Sequence, residues 1–244
     1  MGKVRYLQSS YRKYKMRRGE KMPMRFPSGE FQKLKEQLVI YGCALKTVST
    51  RIDILLEDFI NFQNYNPIEH VKTRLKTPES MAEKLHRRKF DITAENAREH
   101  LTDIAGIRII CSYAKDIYYI VDVLKRQPDM SVRIERDYVT NPKPSGYRSY
   151  HLIIDVPVYF TDKTELLPVE IQIRTHAMDF WAALEHKVRY KYNGKMPDHI
   201  SKELSDCAKA ISTIDDRMYL IQEIIDMAYL HEDEIMIERT FNLR

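Results

Sequence analysis

Apolar side chains return at alternating three- and four-residue steps through Phe31, Leu34, Leu38, Tyr41, Leu45, Val48, Ile52, Leu55 and Phe59. That spacing predicts one long helix with a single apolar seam, because a 3.6-residue period keeps such positions on one face. A second seam, Cys207, Ile211, Ile214, Met218, Ile221, Ile225 and Ala228, predicts another long helix after Pro197. Two such seams suggest either packing on the rest of the fold or self-association. Between them the period shortens to two. Ile107 and Ile109 flank Arg108, and Val169, Ile171 and Ile173 alternate with Glu170, Gln172 and Arg174. Strand geometry sends these two sets to opposite faces.

The elements predicted in order begin, after the first helix, at Asn66-Pro67, an N-cap and first-turn pair. A basic helix follows, carrying Arg74 and Lys76, broken or restarted at Pro78 and continuing through Lys84, His86, Arg87 and Arg88. A short helix covers Thr93 to His100. Then come a strand from Ile107, a helix over Ala114–Gln127, a strand over Val132–Tyr138 and the loop NPKPSG. Strands over Ser149–Phe160 and Leu167–Arg174 and a further helix complete the middle. This is an α+β arrangement: a mixed sheet of about five strands, flanked by helices, with long helices at both ends.

Composition narrows the class. The chain has 244 residues, 43% hydrophobic and 31% charged, enough to bury one core. No run approaches the ~18 apolar residues of a membrane helix. Three scattered cysteines, Cys43, Cys111 and Cys207, fit a reduced, cytosolic protein with inert thiols. The net charge of +5 is concentrated at the start, where nine Lys and Arg precede residue 26 against Glu20 alone. Residues 1–28 are expected to be a basic, disordered tail, with a nucleic-acid arm as the alternative. Residues 29–244 are expected to be one domain.

The side chains that fall off the apolar phase suggest chemistry. Asp103, Arg108, Glu170, Gln172, Arg174 and His151, with Tyr147 and Arg148 after a glycine, belong to separate segments. Burying such groups without partners costs several kcal/mol each, so they should line a wet cleft or meet a ligand. Two carboxylates ringed by Arg and Lys suit a polyphosphate with Mg²⁺, an ion that takes one or two carboxylates and leaves other positions to phosphate oxygens and water. Tyr147 could stack on a base. There is no G-x-x-x-x-G-K-[ST] loop, no H-E-x-x-H, no G-x-S-x-G, and no histidine followed by aspartate. Phosphates must then be held by side chains. Phe180 and Trp181 read as core anchors, and Glu185-His186 as a structural pair.

The segments HVKTRLK, DIAGIRIICSY, RDYVTNPKPSGYRSYHLII and VEIQIRTHAMDFWAALEHKVRYKYNG resemble, in order, the synthetase domain of the RelA/SpoT family. Together they cover about residues 65–195, and the chain is most similar to the family's small alarmone synthetases, which lack the hydrolase domain. The resemblance implies a nucleotidyltransferase-like sheet that passes the β,γ-pyrophosphate of ATP to the 3′-hydroxyl of GDP or GTP, giving ppGpp or pppGpp and AMP. It places Asp103 and Glu170 on Mg²⁺, with Glu170 also helping to deprotonate the hydroxyl. It assigns Arg74 and Arg108 to the adenine, and Lys76, Lys84, Arg87 and Arg88 to the ATP phosphates. Tyr147 would stack on guanine, Arg136, Lys143 and His151 would meet the acceptor phosphates, and Gln172 and Asp179 would hold the guanosine. It also implies a homotetramer in the bacterial cytoplasm. Two other readings stand beside it: a non-catalytic nucleotide- or RNA-binding module, or another Mg-dependent nucleotidyltransferase. The binding module would use the basic tail and the basic helix around Arg74. An acidic pair argues against the binding module, since carboxylates repel phosphate unless a metal intervenes.

Overall fold

In the computed structural model, which describes residues 26–63, 65–192 and 196–241, the period-two segments build one sheet. Its strands are β1 (His70–Leu75), β2 (Ala105–Cys111), β3 (Ser131–Asp137), β4 (Tyr150–Tyr159) and β5 (Thr164–Thr175). They lie in the order β1-β2-β5-β4-β3. β2 and β5 run parallel, and every other neighbouring pair is antiparallel. The expected basic tail falls almost wholly outside the described residues. Phe26, at its end, already packs edge-on against Phe31 with ring centroids 4.9 Å apart.

One expected helix is a strand. Residues 70–75, with Arg74, form the sheet's edge, and their partners on β2 run from Ile110 to Ala105. The Asn66 side chain does accept a backbone bond, from the Ile68 N–H at 3.0 Å, but this is a local turn and the chain leaves it extended. Val71 and Leu75 are half-buried while Lys72 and Arg74 are exposed, the alternation of an edge strand that keeps charge on its open side. The helix restarted at Pro78 is present as α2 (Pro78–Arg87), capped by Thr77, whose hydroxyl accepts from the Ser80 N–H at 3.2 Å.

The N-terminal seam behaves as its period demands. α1 (Glu30–Phe62) buries Leu34, Tyr41, Ala44, Val48, Ile52 and Phe59 against the sheet, where each fully buried large aliphatic or aromatic side chain contributes ~1.5–3 kcal/mol. Buried Glu30 ties α1 to α3 (Ala94–His100) by accepting the Ala94 N–H at 2.8 Å, with Lys33 as its counter-charge at 2.8 Å. α4 (Ala114–Lys125) packs near the end of α1, Phe59 meeting Tyr119 at 5.8 Å.

The C-terminal seam divides. α5 (His176–Lys191) and α6 (Asp198–Phe241) pack through Trp181, Ala182 and Ala208, with Leu204 and Ile211 beside them. The Trp181 indole donates to the Leu204 carbonyl at 2.9 Å, which is the anchor expected of it. Phe180 is not an anchor: it is 59% exposed, because helical geometry turns it 100° away from Trp181. Beyond Ile211 the seam faces outward, with Ile214, Met218 and Ile221 each more than half exposed.

Candidate functional site

Register turns the off-phase residues into a row. Lys72 pairs with Arg108, Arg108 with Gln172, Gln172 with His151, and His151 with Arg136, so these five span every strand on one face. One step along, Arg74 pairs with Gly106 and Gly106 with Glu170. A side chain at Gly106 would meet the carbonyls of Arg74 and Glu170 at 3.8 and 3.9 Å, ordinary contact, so the glycine leaves the floor between them low without being sterically required. Above this face α5 forms a wall. The open cleft beneath it, about 610 Å³, is lined by Arg74, Arg108, Tyr147, Glu170, Gln172 and Arg174 among others, and lies within the usual range for small-ligand sites.

Glu170 lines the cleft with its side chain 13% exposed. Burial pushes its pKa up, but His151, with Nδ1 3.3 Å from Oε1, overrides this and leaves the pKa lowered. Gln172 adds a bond from Nε2 to Oε2 at 3.0 Å. Asp103 occupies the turn before β2. Burial raises its pKa too, yet Lys76 at 3.0 Å and Lys84 at 2.6 Å, both on Oδ2, bring it below the ordinary value. Its other oxygen, Oδ1, is buried without a hydrogen-bond partner. An orphaned carboxylate oxygen close enough to Glu170 to feel its charge is the donor a hard divalent cation takes. No cluster of three or more His, Cys, Asp or Glu side chains able to hold a metal occurs among the described residues. Any ion here therefore relies on this pair and on oxygens from a ligand.

The remaining predicted residues divide by place. Arg108 pairs with Asp179 at 3.0 Å. Tyr147 is half-buried; its hydroxyl lies 2.8 Å from His151 Nε2, and the Lys143 ammonium sits 4.7 Å from its ring centre. Burial and the cations Arg136 and Arg174 push the Lys143 pKa down, against the pull of Glu170. His151 thus stands between the acid and the aromatic ring. Arg87 is exposed at the end of α2, and Arg88 donates to the His100 carbonyl at 2.6 Å; neither lines the cleft.

Sequence reasoning passed over several lining residues. Lys72 was hidden by reading β1 as a helix. Glu185, His186 and Lys187 all line the cleft, although Glu185 also pairs with Arg189. Arg174 was placed on the right face but given no role. It is 4% exposed and donates to Tyr147, Gln172, Asp179 and Ser149. Its signal was available, since a strand arginine in phase with Glu170 and Gln172 must find partners or water.

Comparison with known proteins places this geometry. A model of the region found in RelA / SpoT proteins matches residues 73–195. The chain is 44% identical over 192 residues to the GTP pyrophosphokinase YwaC of Bacillus subtilis strain 168, covering 79% of this chain and 91% of that protein. It is 35% identical over 181 residues to the GTP pyrophosphokinase YjbM of the same strain, covering 74% and 84%. Among solved structures, the small alarmone synthetase 1 of B. subtilis bound to its product pppGpp matches with TM-score 0.75 at 33% identity, over 80% of this chain and 99% of that one. The small alarmone synthetase 2 of B. subtilis matches with TM-score 0.71 at 43% identity, over 78% and 97%. The five-strand mixed sheet, with six helices among the described residues, is thus the fold of the small alarmone synthetases. The chain belongs to the RelA/SpoT family.

Proposed function

We propose that this chain is a GTP pyrophosphokinase that moves the β,γ-pyrophosphate of ATP to the 3′-hydroxyl of GDP or GTP. The observation that carries the reading is convergence: one cleft is lined at once by the acid Glu170, the guanidinium of Arg108 and the ring of Tyr147. Two nucleotides need two base platforms and an acid between them. The 3′-oxygen attacks the β-phosphorus of ATP and the O3′–Pβ bond forms. The bond from Pβ to the oxygen shared with the α-phosphate breaks, AMP leaves with that oxygen, and the hydroxyl proton passes to Glu170.

Glu170 is ionised at neutral pH, as any ordinary carboxylate is, and so can accept the proton, although the His151 contact that lowers its pKa makes it the weaker base. Such help is worth ~10²–10⁴-fold, and holding the nucleotides in line ~7–11 kcal/mol more. Arg74 and Arg108 take the adenine side. Tyr147 takes guanine, with Lys143 shifting from its face. Gln172 and Asp179 hold the guanosine, while Arg136, Lys143 and His151 serve the acceptor phosphates. Lys76 and Lys84 meet the ATP phosphates, with Arg87 and Arg88 farther out. Asp103 and Glu170 would hold Mg²⁺, whose chemistry is to neutralise charge on the transferred phosphates.

We further read the protein as a cytosolic homotetramer. Its cysteines are unpaired, Cys111 is buried with its thiol pKa pushed up by burial, and the outer seam of α6 is free to meet another copy. The test is incubation of the purified chain with γ-labelled ATP, GTP and Mg²⁺, then chromatography. Label in a species with five phosphates is expected, with none when EDTA is added. Label only in inorganic phosphate, or none beyond ATP, would remove the reading.

A further inference from the structure

The two platforms are joined inside the protein. Arg174 lies on β5 in the wall of the cleft, and its guanidinium reaches four residues on three segments: the β3–β4 loop, β5 itself and α5. Nη2 donates to the Tyr147 hydroxyl at 2.6 Å and to Gln172 Oε1 at 2.7 Å. Nη1 donates to Asp179 Oδ1 at 3.2 Å, and Nε to Ser149 Oγ at 3.3 Å. The same Asp179 oxygen receives Arg108 at 3.0 Å. A continuous path, Tyr147–Arg174–Asp179–Arg108, therefore runs from one base platform to the other.

Three features make this path stiff in its middle and loose at its ends. Arg174 is almost fully buried, so each of its bonds is sheltered from competing water. Its planar fork points its donors in fixed directions, which a lysine ammonium cannot reproduce. Arg108, by contrast, keeps 35% of its side chain exposed and leaves Nε buried with no hydrogen-bond partner, so it is held chiefly by its ion pair with Asp179. A nucleotide that fixes Tyr147 fixes the hydroxyl Arg174 holds, hence the carboxylate oxygen on which Arg108 depends. The second nucleotide then meets a platform already ordered and loses less conformational freedom on binding.

We infer that Arg174 is a positioning residue that couples the two nucleotide sites, so that acceptor bound at Tyr147 strengthens binding of the donor at Arg108, and the reverse. The inference rests on the assignment of those two residues as base platforms. An ATP analogue with a methylene group between the α- and β-phosphates cannot transfer, so its affinity can be measured by calorimetry in Mg²⁺ with and without saturating GDP. For the wild type, GDP should tighten the analogue by about fivefold or more, the lower end of usual coupling factors. In Arg174→Lys the ratio should fall towards one. Tyr147→Phe keeps the ring but deletes the hydroxyl that Arg174 holds. It should do the same, and it decides the matter if Arg174→Lys fails to fold by circular dichroism. A wild-type ratio near one, or a Tyr147→Phe ratio as large as the wild type's, overturns the coupling. The labelled-product assay separates the two levels: a wild type that makes product but shows no coupling loses only this inference, and one that makes no product loses the activity itself.

Discussion

Glu170 and Asp103 are both acids kept charged in buried positions, but by different neighbours, and their substitutions should read differently. Glu170 is held by His151 and Gln172, neither a permanent cation. Glu170→Gln preserves size and the bond from Gln172 while removing the proton acceptor. Transfer should fall by ~10²-fold or more, the scale of a lost general base, while ATP-analogue binding in Mg²⁺ largely survives. Labelled pppGpp at a near wild-type rate would end the catalytic assignment. Asp103 is held by two lysines, so Asp103→Asn leaves Lys76 and Lys84 facing each other without a counter-charge. At pH 7 the variant should be less stable by ~1–3 kcal/mol. The sign with pH follows from the lowered pKa. The carboxylate's contribution is complete above the ordinary aspartate value of about 3.9 and is lost as pH falls through the folded value below it. Urea unfolding should show the gap between wild type and variant wide at pH 7 and closing at the acid end. A gap independent of pH would mean the lysines are not what Asp103 balances.

Among the elements, the acceptor loop between β3 and β4 carries the sharpest steric constraint. Gly146 has φ +89°, and a side chain there would place Cβ 2.5 Å from the Cβ of Ala208 on α6. The loop that presents Tyr147 is thus seated directly on the helix, with Arg148 donating to the Val139 carbonyl at 3.0 and 2.9 Å and to Ser212 on α6. Gly146→Ala should incur ~1–2 kcal/mol from the left-handed backbone and a clash besides. The loop must then lift, and the KM for GTP should rise several-fold more than the KM for ATP. Adding Ala208→Gly removes the clash but not the backbone strain, so steady-state kinetics should recover in part. No recovery would show that the helix does not seat the loop. Such contacts are invisible in a single sequence, which explains the pattern of what was legible. Alternation within each strand set Arg108 opposite Ile107 and Ile109 and put Glu170, Gln172 and Arg174 on one face, while the β2–β5 register that joins the two sets came only with the fold. Helical period gave α1 and the Trp181 anchor. What failed needed a partner element: β1 is a strand because β2 offers it an edge, and Phe180 is outside because α6 docks on its neighbour. Arg174 acquires a role only when Tyr147, Ser149 and Asp179 are brought to it.

For the molecule as a whole, the decisive asymmetry lies between its two long helices. α1 spends its seam on the sheet, whereas α6 spends only Leu204, Ala208 and Ile211 on α5 and leaves Ile214, Met218 and Ile221 in solvent. Apolar residues repeating by three and four on an uncovered helix are the pattern that pairs helices between subunits. Under the homotetramer proposed above, a second copy is the occupant of this face. Light scattering should then give a mass near four chains for the wild type, and Ile214→Glu with Ile221→Glu should give smaller species with unchanged circular dichroism. The same helix carries Ala208 against the acceptor loop, so loss of assembly should also loosen the seat of Tyr147 and raise the KM for GTP more than that for ATP. A doubly substituted chain that stays at the four-chain mass would exclude this face from the interface. One that dissociates with both KM values unmoved would show that α6 seats the loop equally well in a single subunit.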